Sequence, residues 1–148
     1  MTFETSAGRF LKMIPSTSAT SSVVVDASVL IDALVMGVES VAARLVNTTL
    51  HAPVSVDAEF LHALRRRWLA GFVDEERGRA ALTMFRDVPI RRYPVQPLVA
   101  RMWAIRRNIT AYDAGYVALA ESLHLPLITR DARLARSTGH AARIEYIA

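Results

Sequence analysis

The chain has 148 residues, 52 % of them hydrophobic, with 18 Lys and Arg against 14 Asp and Glu and no cysteine. That length suits one domain burying roughly 68–70 % of its unfolded surface; the apolar share excludes a disordered chain, and no apolar run reaches the roughly 18 residues a membrane span needs. Without cysteine there are no disulfides, thiolate zinc sites or cysteine nucleophiles, which fits a reducing, cytoplasmic compartment. Lys12 is the only lysine, so 17 of the 18 basic residues are arginine. Arginine grips phosphate through two parallel hydrogen bonds, but a GC-rich coding sequence also favours it, and a net charge of +4 does not by itself imply nucleic acid.

Residues 1–22 read as a flexible N-terminal extension: positions 16–22 are almost all Ser, Thr and Ala, without apolar periodicity. Arg9 and Lys12 precede only a short apolar stretch broken by Pro15, which argues against a secretory signal. One domain, residues 23–148, follows. Val23-Val24-Val25 is β-branched and fully apolar, as a central parallel strand should be. Helices are expected over 28–35 and 39–46, a strand over 49–52, and a helix from Ser55 that stops at Gly71. Asp74-Glu75-Glu76 opens the next helix, since acids favour the positive N-terminus. A strand over 88–93, a helix over 97–107, a helix capped by Thr110 and running to 123, and strands over 125–129 and 143–147 complete the chain. Short strands alternating with covering helices predict a three-layer α/β/α fold around a parallel sheet.

In such a sheet, ligands bind outside the carboxyl ends of the strands. Asp26 ends the first strand, Asp131 follows Leu127-Ile128-Thr129, and Glu59 and Asp113 lie in the first turns of two helices. All four fall on that rim. Each also has a local reading: Asp26 as a helix cap in competition with Ser28, Asp113 as half of a capping box with Thr110, Asp131 as a partner of a helix dipole, Glu59 as a solvated residue. On the helix from Ser55, the apolar face (Val56, Phe60, Ala63, Leu64, Trp68) encloses Asp57 and leaves Glu59 at its edge, so Asp57 is a second candidate for the inward acid. Clustered carboxylates repel and raise one another's pKa. A hard divalent cation, Mg2+ or Mn2+, reverses that cost, and two such ions about 3.5–4 Å apart can activate water and steady a leaving oxygen at a phosphodiester. His51, His62, His124 and His140 have no metal-ligand spacing and read as surface or packing residues.

These residues resemble the PIN-domain ribonucleases, and among them the VapC toxins of bacterial toxin–antitoxin pairs. Val24-Val25-Asp26-Ala27-Ser28-Val29-Leu30 is similar to the family's first strand and opening acid. His51-Ala52-Pro53, Asp57-Ala58-Glu59 and Leu64-Arg65-Arg66 resemble its second block, whose glutamate maps onto Glu59. Thr110-Ala111-Tyr112-Asp113-Ala114, with Tyr116 to Glu121 after it, is the most specific likeness, departing from the pattern only in Gly115, where a larger residue is usual. Thr129-Arg130-Asp131 occupies the family's Thr-x-Asp positions. The resemblance runs from Val23 to the C-terminus. It implies a Mg2+- or Mn2+-dependent endoribonuclease toxin that dimerises and is silenced by a cognate antitoxin. Asp26, Glu59, Asp113 and Asp131 would hold the metal directly or through water, and Thr129 and Ser28 would position the phosphate or a water. Arg130, Arg133 and Arg107 would hold flanking phosphates. The preference for RNA over DNA rests on the resemblance alone.

A receiver-type phospho-acceptor needs a lysine near its last strands, and Lys12 is not there; a phosphatase with two aspartates one residue apart fails at Asp26-Ala27-Ser28. The remaining alternative is a PIN-like module that binds RNA or protein without catalysis.

Overall fold

The computed structural model describes residues 21–148. Five strands, β1 (Ser21–Val25), β2 (Thr48–Pro53), β3 (Ile90–Tyr93), β4 (Leu127–Thr129) and β5 (Ile144–Tyr146), form one all-parallel sheet in the order β3-β2-β1-β4-β5. Seven helices are described: α1 (Ala27–Leu34), α2 (Glu39–Leu45), α3 (Val56–Leu69), α4 (Glu75–Asp87), α5 (Val99–Ala104), α6 (Ala111–Leu123) and α7 (Ala132–Ala135). The first two crossovers carry the chain from β1 to the β3 edge, and the third returns it to the other side of β1. With the right-handed crossovers that parallel strands adopt, this reversal puts α5 and α6 on the face opposite α1 to α4. The expected three-layer α/β/α architecture is therefore the observed one. Its switch point lies between β1 and β4, at their carboxyl ends.

The core follows from the apolar strands. Val23, Val24, Val25, Leu127 and Ile128 are essentially without solvent exposure, as a strand covered on both faces requires. Phe60 of α3 stacks on Phe85 of α4 with ring centroids 4.0 Å apart. Gly115 has room for a side chain, since an added Cβ would meet Pro53 Cγ at 3.7 Å, an ordinary contact.

Several boundaries differ from the sequence-based expectation, three of them for physical reasons that the structure shows. Residues 1–20, most of the expected flexible extension, lie outside the described residues, but Ser21 and Ser22 belong to β1, where they pair with Thr48 and Thr49. The Ser21 and Thr48 hydroxyls also meet at 3.0 Å, so a polar strand end is matched by a polar partner. The helix expected over 97–107 is a 3-10 turn (Gln96–Leu98) followed by α5, which stops at Ala104. There Ile105 turns into the core, and the Arg106 guanidinium lies 4.2 Å over the Trp103 ring and donates to the Trp103 carbonyl. β4 begins at Leu127 because Leu125 N–H closes α6 onto the Ala120 carbonyl across a left-handed His124, and Pro126 has no N–H.

Candidate active site

Asp26 follows directly from β1. Its amide donates to the Ile128 carbonyl at 3.1 Å, which fixes it beside the end of β4. It occupies the cap position of α1, yet its side chain makes no capping bond. Instead Oδ2 accepts from Ser28 Oγ at 2.6 Å and from Thr129 Oγ1 at 2.8 Å. Each hydroxyl in turn accepts a backbone N–H from the turn after β4, Ser28 from Arg130 and Thr129 from Asp131, both at 3.0 Å. The Thr-x-Asp spacing thereby ties Asp131's backbone to Asp26. Because a hydroxyl has one hydrogen to give, Ser28 and Thr129 are committed to holding Asp26. Thr129 is without solvent exposure, whereas Ser28 lines the cleft.

Glu59, in the first turn of α3, points its Oε2 at Ser55 Oγ (3.1 Å) and Tyr116 Oη (2.8 Å), both donors. Asp113, in the first turn of α6, gives its amide to the capping Thr110 Oγ1 at 3.3 Å. Asp131 caps α7, its Oδ1 accepting the Arg133 and Leu134 amides at 2.8 and 3.3 Å. The local helix-end readings are thus real for Asp131 and for the Thr110 cap, and they coexist with convergence. Asp26, Glu59, Asp113 and Asp131 line one cleft of about 720 Å³, together with Ser28, His62, Arg66, Arg67, Tyr112 and Arg133.

Burial holds the Asp26 carboxyl above its ordinary value; the Ser28 and Thr129 hydroxyls oppose this, and the Asp113 charge adds to it. Glu59 is raised for the same first reason, eased by Tyr116 and Ser55, with Asp26 and Asp113 as like-charged neighbours. Asp113 is raised by burial and by Asp131, and lowered by its hydrogen bond with Thr110 and by Arg133. Burial and the neighbouring carboxylates push the Tyr116 phenol far up, so it remains a donor. The cleft therefore carries an excess of negative charge that a cation would relieve. Oxygen-only donors of this kind suit a hard divalent ion. Among the described residues, however, no three His, Cys, Asp or Glu side chains form a ready-made ligand cluster. The arrangement fits an ion that uses one or two carboxylates and keeps several waters, as Mg2+ commonly does.

The other expected residues divide. Arg133 lines the cleft, its Nη2 3.6 Å from Asp113 Oδ2 and 3.9 Å from Asp131 Oδ2. Asp57 does not line the cleft: Arg92 of β3 holds it at 2.8–3.0 Å, so its place within the apolar stripe of the helical wheel is satisfied by a guanidinium instead. Arg130 is bound to Asp32 Oδ2 at 2.8 Å and to the Ile147 carbonyl at 3.1 Å, and Arg107 is exposed; neither lines the cleft. His51 is buried against Tyr93 as a packing residue, whereas His62 lines the cleft. Arg66, Arg67, Tyr112, Ser55 and Tyr116 were not singled out from the sequence as site residues. Two signals carried some of them: Glu59, His62, Ala63 and Arg66 follow the i, i+3, i+4, i+7 spacing of one helix face, and a tyrosine inside the apolar run of α6 needs a partner for its hydroxyl.

A cleft lined by acids at the switch point of a parallel α/β sheet defines a class, and the sequence agrees with it: the PIN domain family model matches residues 23–139, and the chain belongs to that family. Among its relatives, the chain is 42 % identical over 128 residues to ribonuclease VapC1 of Mycobacterium tuberculosis, covering 84 % of this chain and 96 % of that protein. It is 41 % identical over 109 residues to ribonuclease VapC12 of the same organism, covering 74 % and 84 %. Its fold matches VapBC-5 of M. tuberculosis, a member of the VapBC family of toxin–antitoxin systems, at a TM-score of 0.53 and 27 % identity over 85 % of this chain and 97 % of that one. It also matches PAE2754 of Pyrobaculum aerophilum at 0.62 and 25 % identity, over 87 % and 86 %.

Proposed function

We propose that this chain is the toxin of a type II toxin–antitoxin pair, an endoribonuclease that depends on Mg2+ or Mn2+. The observation that carries the reading is the convergence of four acids, one from each of the four crossovers, on one cleft in which at least three are held above their ordinary pKa. Asp26, Glu59, Asp113 and Asp131 would hold the ion, directly or through water. When bound, the ion supplies Lewis acidity toward the phosphate and lowers the pKa of water. Ser28 and Thr129 keep Asp26 in place. Arg66, Arg67 and Arg133 are the cations that reach the cleft, and their guanidiniums suit the phosphates on either side of the scissile bond.

Two partner surfaces support the toxin reading. Leu61, Leu64, Trp68 and Leu82 line a groove of about 300 Å³ between α3 and α4. Phe72 beyond it is 73 % exposed, as is 67 % of Trp103 on the other face. Apolar surface of this kind marks protein contacts, which here would be the antitoxin and a second copy of the chain. The α2, α3 and α4 residues Val41, Leu45, Phe60, Ala81 and Phe85 are core instead. Among the described residues, no helix is long and apolar enough to cross a membrane.

Asp113→Asn tests the reading. RNA cleavage with Mg2+ or Mn2+ should fall by roughly a hundredfold or more, with the circular dichroism spectrum unchanged; undiminished cleavage by the folded variant removes the site. The lack of a three-residue ligand cluster among the described residues favours a second reading, a non-catalytic RNA- or protein-binding module. An ion that binds only the folded state raises its stability, so millimolar Mn2+ that neither shifts the melting temperature nor supports cleavage would select the module.

A further inference from the structure

Tyr116 stands in the middle of the buried run of α6, where the other side chains are Ala, Val and Leu. It has no solvent exposure, and its hydroxyl reaches out of the core to Glu59 Oε2 at 2.8 Å, 57 residues away in sequence. A residue that only filled space here would be phenylalanine or leucine. The bond has a specific task. Glu59 is half-buried beside two like-charged carboxylates, Asp26 and Asp113. Repulsion favours rotamers that carry it outward to water. Two donors oppose that motion. Ser55 Oγ, at 3.1 Å, is on the turn just before α3 and ties Glu59 only to its own helix. Tyr116 ties it to α6, the helix that bears Asp113 one turn earlier and on the same side. Both bonds fall on Oε2, which leaves Oε1 without a hydroxyl partner.

We infer that Tyr116 is a positioning residue: its hydroxyl sets the Glu59 carboxylate against Asp113 at the spacing a shared divalent cation requires. This rests on the proposed metal-dependent function, and it is tested on metal binding without RNA. The full chain and its Tyr116→Phe variant, which keeps the ring and loses one oxygen, are titrated with Mn2+ by calorimetry or by electron paramagnetic resonance of the free ion. Groups that orient a ligand typically change metal affinity by roughly 10–100-fold, and a weakening of that size is expected. Added to Glu59→Gln, the Phe substitution should weaken Mn2+ binding no further, because its effect passes through Glu59. Unchanged Mn2+ affinity in Tyr116→Phe, with only a lower metal-free melting temperature, overturns the inference and leaves a packing role. Equal losses in the Glu59→Gln background and in the wild type overturn it as well. Should Tyr116→Phe not fold, Ser55→Ala decides: a loss under about threefold supports Tyr116 as the principal tether, and a loss of tenfold or more assigns the task to Ser55. A wild type that binds Mn2+ but cuts no RNA defeats the nuclease reading while leaving the Tyr116 comparison decisive; a wild type that binds no Mn2+ defeats both.

Discussion

The acids of this protein live in two kinds of surroundings. At the sheet edges and on the helix flanks, four acids meet an arginine squarely: Glu121 with Arg101 at 2.7 and 2.9 Å, Glu145 with Arg44 at 3.0 Å twice, Asp57 with Arg92, Asp32 with Arg130. In the cleft, the side-chain bonds to Asp26 and Glu59 come from hydroxyls, and the Arg133 guanidinium, 73 % exposed, stays 3.6 Å from Asp113 and 3.9 Å from Asp131. The hydrogen bonds from Arg101 and Arg44 hold Glu121 and Glu145 below their ordinary range, and burial holds Asp26, Glu59 and Asp113 above it. A chain with 17 arginines does not lack cations. That Asp26 and Glu59 are left with neutral donors suits the proposed role of the cleft in taking a cation from outside.

Neutralising an acid should therefore have opposite effects in the two settings, and the largest change is expected at Asp26. Its folded pKa lies above the ordinary 3.8. The stability it contributes is fully present below 3.8 and is lost as pH rises through the raised value. Asp26→Asn keeps an oxygen to accept from Ser28 and Thr129 while removing the charge. In the presence of a chelator, its melting temperature should exceed that of the wild type by several degrees at pH 7, and the two should converge as pH falls below 3.8. Added Mn2+ should close the gap from the other side by stabilising the wild type alone. A metal-free variant less stable than the wild type at pH 7 would erase the distinction between the two environments.

Glu121→Gln is the matching change at an arginine-paired acid. The folded pKa there lies below the ordinary 4.5, so the contribution is present above 4.5 and is lost as pH falls through the lowered value. Arg101 is 43 % exposed and its pairing is screened by solvent; the expected loss is about 0.5–1 kcal/mol at pH 7. Glutamine retains an acceptor for the Ala141 amide, which Glu121 Oε1 takes at 2.8 Å. RNA cleavage per folded molecule should not change. Urea unfolding at pH 7 and pH 3 measures the first statement, and a cleavage assay the second.

The sequence shows which residues stand at strand ends and in first helical turns, because those positions follow from local pattern: β-branched runs, capping residues, the spacing of Thr110 and Asp113. That is why all four cleft acids are legible as one rim. It does not show which cation each acid meets, since that is settled by pairings across the fold. Asp57 reads as an inward acid until Arg92, 35 residues on, claims it. Arg130 reads as a phosphate contact until Asp32, 98 residues back, does the same. Ser28 and Thr129 are visible, but their task is not, because it depends on the end of β4 coming to lie beside β1: Ser28 meets the Arg130 amide 102 residues on, and Thr129 meets Asp26 103 residues back. The end of α5 was missed for a related reason: Arg106 has good helix propensity, and the stop comes from Ile105 being drawn into the core.

The smallest expected effect probes the boundary between the two groups. Arg133 is the only arginine whose ion pairs reach Asp113 and Asp131 among the described residues, and both contacts are too long for hydrogen bonds. It belongs with neither set of ion pairs: it offsets the cleft's charge without satisfying an acid. If its work is to hold substrate phosphate, Arg133→Ala should leave metal binding intact or tighten it by a few-fold, because a competing positive charge beside Asp113 is gone and surface charges this exposed are worth well under about 1 kcal/mol. The same variant should raise KM for RNA several-fold, more at low salt than at high, since the lost contact is electrostatic. Mn2+ titration and steady-state cleavage at two ionic strengths read the two quantities separately. Weaker Mn2+ binding in Arg133→Ala would mean that the guanidinium orders the carboxylates around the ion, and would move Arg133 from the substrate to the walls of the site.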